Sequence, residues 1–149
     1  MKLITIKDQG NEKLRQPVAD FIFSDHSKEE IVTTIREMRK EMIRSGGVGL
    51  SGNQVGLDWR VFVAESDNIF FAVFNPKITK FSEEQEELEE GCLSVPKVFI
   101  PLKRSYRVTL EGSDWNGKKI KLKASGVLAR ILQHETDHLN GKLILDYVK

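Results

Sequence analysis

The sequence is short of several things, and each shortage excludes something. One cysteine in 149 residues leaves no intrachain disulfide, so this is not a disulfide-stapled secreted scaffold. Long hydrophobic runs are missing too: the longest, Ile69 to Phe74, is far too short to span a bilayer. The opening Met1-Lys2-Leu3-Ile4-Thr5-Ile6-Lys7-Asp8 lacks the apolar core of a signal peptide. Neither sign of charge prevails, with 23 Lys and Arg against 22 Asp and Glu and a formal charge of +1. That balance predicts no broad basic field for nucleic acid or an anionic membrane, and with the reduced cysteine it suits the cytoplasm. Side chains that hold transition metals through nitrogen or sulfur are only four: His26, Cys92, His134 and His138. What is present is 40% hydrophobic and 30% charged, the makeup of one globular domain expected over 1–149.

Periodicity then predicts the elements. Ser27 with Glu30 three residues on forms a capping-box signal, and Ile31, Ile35, Met38 and Met42 follow at helical spacing until Gly46-Gly47. Five of the eleven glycines lie between Gly46 and Gly56, which predicts a loop rather than a regular element. Arg60 to Glu65 and Ile69 to Asn75 read as a hairpin across Ser66-Asp67-Asn68, and Tyr106 to Glu111 with Lys118 to Lys123 as a second across Asn116-Gly117. Glu83 to Glu90 reads as a solvated loop or strand edge. Val127 to Asn140 is the last helix, stopped by Gly141.

That helix carries the strongest chemical signal, His134-Glu135-Thr136-Asp137-His138. Spacing i, i+4 puts both imidazoles on one face with Glu135 beside the first, the pattern of a metal-dependent hydrolase. A catalytic centre normally needs a third protein ligand. The position six residues after His138 is Ile144 rather than His, and none of the eleven residues after His138 is Glu, so the third ligand must lie upstream. Cys92, whose thiolate is a strong donor beside the unobstructed backbone of Gly91, leads. His26, in a polar segment where a surface histidine is expected, is its rival. Gly47-Val48-Gly49-Leu50-Ser51-Gly52 is formally a dinucleotide fingerprint, but it follows a helix instead of a strand, and no lysine follows Gly52 to make a phosphate loop. It reads instead as a glycine-lined edge ending in Gln54, whose carboxamide can donate to a developing oxyanion. Val127 and Ile131 project from the side of the helix that bears His134 and, with Val48, can enclose an apolar side chain.

Gly47 to Gln54, Glu90-Gly91-Cys92-Leu93-Ser94 and Gln133 to His138 together resemble the peptide deformylases, in that family's order and at similar separations. The resemblance spans nearly the whole chain, with Ser51 and Gly52 standing where the family usually has two alanines. It implies an α+β fold, with antiparallel or mixed sheets packed around a central C-terminal helix and a further helix toward the amino end. It also implies hydrolysis of the N-formyl group of formylmethionyl polypeptides, releasing formate. Cys92, His134 and His138 would then hold one divalent ion, typically iron(II), with zinc, nickel or cobalt compatible. Glu135 would carry the proton, while Gln54 and the backbone N–H of Leu93 would hold the oxyanion. Val48, Gly49, Glu90, Gly91, Val127 and Ile131 would line the substrate cleft, Glu90 also serving as an acceptor that orients the site. The glycine loop and the segment after Cys92 could pair with an extended peptide as an added strand. Expected partners are formylmethionyl peptides and, transiently, the ribosome; no membrane and no direct nucleic-acid contact are expected, and the chain is expected to act as a monomer. Its location is the cytoplasm, or the stroma or matrix of an organelle. Sequence ending at Lys149 leaves no further C-terminal helix of the kind many bacterial members carry. Two other classes fit the His-Glu-x-x-His alone: a metallopeptidase cutting internal amides, and a domain that binds formylated termini without turning them over.

Overall fold

The computed structural model describes residues 1–148; Lys149, the last residue of the expected domain, lies outside them. Helix α1 is Lys28–Arg44, and the Ser27 side chain accepts from the Glu30 amide at 3.0 Å, satisfying a donor that the first turn leaves without a partner. The reciprocal half of the capping box is not made, because the Glu30 carboxylate turns to His26 Nδ1, 3.1 Å away. Ile31, Ile35, Met38 and Met42 are buried along one face, and Gly46, at φ 76, turns the chain away.

The stretch from Gly46 to Gly56 is more regular than its composition predicts. It holds strand β1, Gly49–Ser51, and a 3-10 turn, Gly52–Val55. Gly47, Gly49 and Gly52 are there for clearance rather than for unusual dihedrals: a Cβ on Gly52 would lie 2.4 Å from the carbonyl oxygen of Trp59.

Strands β2, Val61–Ser66, and β3, Ile69–Phe81, form the first expected hairpin. Asp67 and Asn68 turn it at φ 51 and 63, the left-handed pair that matches strand twist. β3 continues past Asn75, where the sequence predicts its end. Asn75 at φ 52 and the following Pro76 shift the register against the neighbouring strand, so the continuation is bulged and lacks clean alternation. Of the two readings of the acidic run, loop or strand edge, the strand edge holds: most of it lies in β4, Gln85–Cys92, which pairs with β5, Val95–Ser105. β6, Arg107–Ser113, and β7, Lys119–Ser125, complete the second expected hairpin. All pairings are antiparallel, in a sheet ordered β1-β2-β3-β6-β7 and a two-stranded sheet β4-β5.

Helix α2, Gly126–Leu139, is buried along most of its length, and Gly141 at φ 79 stops it. Ala129, Ile131, Leu132 and Leu139 pack on Phe62, Ala64, Val73, Val108 and Leu110 from one sheet face. Val61, Val63 and Phe74 meet α1 on the other. The fold is therefore α+β, with α2 central, and its His-Glu-x-x-His segment lies between the two sheets.

Candidate metal centre

One turn apart on α2, the His134 and His138 rings stand edge to face with centroids 4.8 Å apart and Nε2 atoms 3.1 Å apart. Cys92 closes β4, and its Sγ lies 3.3 Å from His138 Nε2. The donor atoms of the three residues all fall within 4.8 Å of one another. His26, the rival third donor, is instead stacked on Phe21 and packed against Trp59, half-buried at the entry to α1.

This donor set fits a metal ion. Bonds of about 2.0–2.1 Å to nitrogen and about 2.3 Å to sulfur set tetrahedral donors roughly 3.3–3.6 Å apart, close to the 3.1 Å between the two imidazoles and the 3.3 Å from Cys92 to His138. Burial and the neighbouring His134 hold His138 well below the ordinary imidazole pKa, in the neutral form that ligates.

Glu135 is buried beside these donors. Its Oε2 lies 4.0 Å from His134 Nε2, and its Oε1 is buried with no hydrogen-bond partner within the protein. Burial pushes the carboxyl up to about 7, so it is poised to gain and lose a proton near neutrality. Clearance comes from β1: a Cβ on Gly49 would sit 2.6 Å from Glu135 Oε2.

Gln54 is aimed by its neighbours. Its Oε1 accepts from the Ser51 amide and hydroxyl, each at 3.0 Å, so Nε2 faces the other way, donating to Ser94 Oγ at 3.0 Å and reaching Cys92 Sγ at 3.8 Å. Asn53 Nδ2 donates to the His138 carbonyl at 2.6 Å, tying this turn to α2. The segment near the amino end straps both sides together: the amides of Ile4 and Ile6 donate to the carbonyls of Gln54 and Ser94 at 2.6 and 2.9 Å. Leu93 lies between them, its side chain packed where a Cβ on Gly47 would collide.

Behind His134 stands Glu90, whose Oε1 accepts from His134 Nδ1 at 2.9 Å and fixes Nε2 toward the other donors. The same carboxylate accepts from Arg104 and Arg130, and Arg104 reaches on to Asp137 at 2.9 Å. Burial alone would raise Glu90; the bonds from His134 and Arg104 outweigh it and bring the pKa down to about 2. Glu90 thus borders the cleft while its carboxylate is committed to His134 and the two arginines. Arg104, Arg130 and Asp137 escape sequence reasoning. Arg104 sits in an alternating strand like any surface arginine, whereas Arg130, one turn before His134 on an otherwise apolar stretch, carried a readable signal.

A cleft of about 620 Å³ opens onto these groups. Val48, Gly49, Gly91, Val127 and Ile131 line it, together with Phe99, which the sequence did not single out. The Phe99 ring lies on Gly91, 2.7 Å from where a Cβ would be.

A His-Glu-x-x-His helix whose third donor is the sulfur of an upstream cysteine, set between antiparallel sheets, defines a class of hydrolases rather than a nucleotide-binding or purely structural domain. Comparison with known proteins narrows the class: the model of the polypeptide deformylase family matches residues 3–149. A peptide deformylase of Treponema pallidum (strain Nichols) is 45% identical over 120 residues, covering 80% of this chain and 74% of that protein. One from Thermotoga maritima is 39% identical over 136 residues, covering 91% and 79%. Among solved structures, a peptide deformylase from Synechococcus elongatus in complex with actinonin superposes with TM-score 0.90 at 35% identity, covering 100% of this chain and 79% of that one. A probable peptide deformylase from Synechococcus phage S-SSM7 gives TM-score 0.89 at 35% identity, with 99% of both chains covered. The chain belongs to the peptide deformylase family, hydrolases that remove the N-formyl group from nascent formylmethionyl peptides.

Proposed function

We propose that the chain deformylates formylmethionyl polypeptides with Cys92, His134 and His138 holding one divalent ion, iron(II) in the cell. The observation that carries this reading is the convergence of those three donors beside the unpartnered, buried Glu135 Oε1 at the floor of the cleft. A divalent ion bound there would supply Lewis acidity, lowering the pKa of water toward neutrality. Glu135 takes the proton of the attacking water and delivers it to the leaving amine; its raised pKa suits both halves of that transfer. Gln54 Nε2, aimed by Ser51, and the Leu93 N–H donate to the oxygen that gains charge as the formyl carbon becomes tetrahedral.

Val48, Val127 and Ile131 enclose the methionine side chain. β1 is an edge strand and β4 has one free edge, so the bare backbones at Gly49 and Gly91 let an extended peptide lie between them as an added strand. Recognition through backbone leaves later side chains largely unread, as an enzyme acting on many polypeptides requires. The protein works as a single-domain monomer in the cytoplasm, or its organellar equivalent, meeting substrate as it leaves the ribosome. No helix among the described residues is long and apolar enough to cross a membrane.

Iron-loaded protein kept free of oxygen should release formate from a formyl-Met peptide, and Glu135→Ala should keep its metal while losing at least about 100-fold in kcat. Absence of formate with iron, nickel and cobalt alike would sink the reading.

A further inference from the structure

Register across β3, β6 and β7 aligns side chains in rows, since paired residues share a face. One set, Ile78, Leu110 and Leu122, packs into the core beside α2. The opposite face carries Lys77, Glu111 and Lys121 in one row, Lys80, Thr109 and Lys123 in the next, and Ser113 with Lys119 and Arg107 with Ser125 at the two ends. Six cations therefore share a face with the single carboxylate of Glu111. All five lysines are exposed and none makes an ion pair among the described residues, while Arg107 meets Glu84 at 3.0 Å. The near-zero net charge conceals this, because the balancing acid lies elsewhere, along β4. Lysines guard edge strands against unwanted pairing, which accounts for those on β7; Lys77 and Lys80 lie two strands inward and need another reason.

We propose that this face binds single-stranded RNA through its phosphate backbone. Alternate lysines on β7 stand about 6.7 Å apart, and successive strands about 4.8 Å, giving a lattice of cations instead of one cluster. Where Lys80, Arg107, Lys123 and Ser125 meet, a groove of about 440 Å³ sets ammonium and guanidinium groups and a hydroxyl around an apolar floor of Phe81, Val108 and Ala124, so charge for a phosphate stands beside an exposed aromatic ring on which a base can stack. The one apolar side chain in the rows, Phe74 opposite Ser113, is buried under α1, and a single exposed ring at the groove, Phe81, is too little apolar surface to anchor in a bilayer, which sets an anionic membrane aside. RNA is the polyanion at hand where nascent polypeptides are made. The face lies on the side of the sheet away from α2, so bound RNA leaves the cleft clear.

Fluorescence anisotropy of a labelled 20-nucleotide RNA, titrated with the full chain at rising salt, tests this. At about 0.7 per contact on single strands, five unpaired lysines give a log–log salt slope near −3.5. The triple variant Lys119→Gln, Lys121→Gln, Lys123→Gln should bind at least tenfold more weakly and flatten that slope by about 2, with formate release unchanged. Lys28→Gln with Lys40→Gln, on α1, should bind RNA as the parent does. The proposal is overturned by no binding at 50 mM salt, by a triple variant that binds undiminished, or by equal affinity for poly-glutamate or for vesicles containing phosphatidylserine.

Discussion

His134 concentrates the chemistry of the site in one ring. Burial on its own lowers its pKa, but hydrogen bonds with Cys92 and Glu90 raise it to about 10, so in the metal-free protein this imidazole holds a proton at pH 7. A metal can take Nε2 only by displacing that proton, which fixes the sign of a measurable effect. Metal affinity should rise with pH between 6 and 9, and calorimetry in buffers of different ionisation enthalpy should record at least one proton released per ion bound. No proton release at pH 7 would mean that His134 is already neutral. Glu135 gives a second reading on the same scale. The acid limb of kcat/KM should fall above the ordinary carboxylate value of 4.5 and no higher than about 7, since burial raises this carboxyl while a bound dication opposes it. At this scale the sequence was most legible, because His134, Glu135 and His138 are close in sequence and helical geometry converts their spacing directly into a shared face. His26 shows where it stops: a histidine among polar neighbours gives no hint that Phe21 and Trp59 lie against it.

Among elements, β1 and α2 approach each other closely at the site. Gly49 faces the Glu135 carboxylate so tightly that a methyl group must displace one or the other. Gly49→Ala should therefore keep its metal and its melting behaviour within a few degrees, yet lose on the order of 100-fold in kcat, because the proton carrier moves and the donors do not. Equal activity would show that Glu135 tolerates displacement. The glycine stretch was misread as irregular for a related reason. Glycine signals unusual dihedrals or close neighbours alike, and the neighbours, Trp59, Leu93 and Glu135, come from distant parts of the chain. For β4, where Gln85 to Glu89 looks outward, composition leaves loop and strand edge both open, and pairing with β5 decides for the strand. Both predicted hairpins were legible because turn-forming residues, Ser66-Asp67-Asn68 and Asn116-Gly117, interrupt strand-like runs; the β4-β5 hairpin turns on Leu93 and Ser94 alone, between the paired Cys92 and Val95, and those two residues carry little turn signal.

Taken whole, the molecule is pinned by charge at one point. Glu90 on β4, Arg104 on β5, and Arg130 and Asp137 on α2 join the small sheet to the central helix in one buried network. Glu90 drops from an ordinary 4.5 to about 2 on folding, so it stabilises the fold above its unfolded value, and that contribution fades as pH falls from about 4.5 to 2. The loss is on the order of 3 kcal/mol. Metal-free protein should show a falling Tm across that window, and Glu90→Gln should be less stable at pH 7 and fall less steeply through it, the remaining slope coming from Asp8, Glu41 and Asp146, whose carboxyls folding also lowers. A flat profile for the parent would remove Glu90 from the account. Charge at this scale was hidden from the sequence, which records totals, whereas the fold sorts acid to β4 and base to β7. The strap from Ile4 and Ile6 to Gln54 and Ser94 bears on how the protein comes to exist. A ribosome delivers the strap first, Cys92 much later and the two histidines nearly last, so no shorter nascent chain can enclose the site. Until α2 emerges, Cys92 is a lone, unsheltered thiol, and the interval of synthesis between it and His138 is when oxidation can take a newborn enzyme before its first turnover.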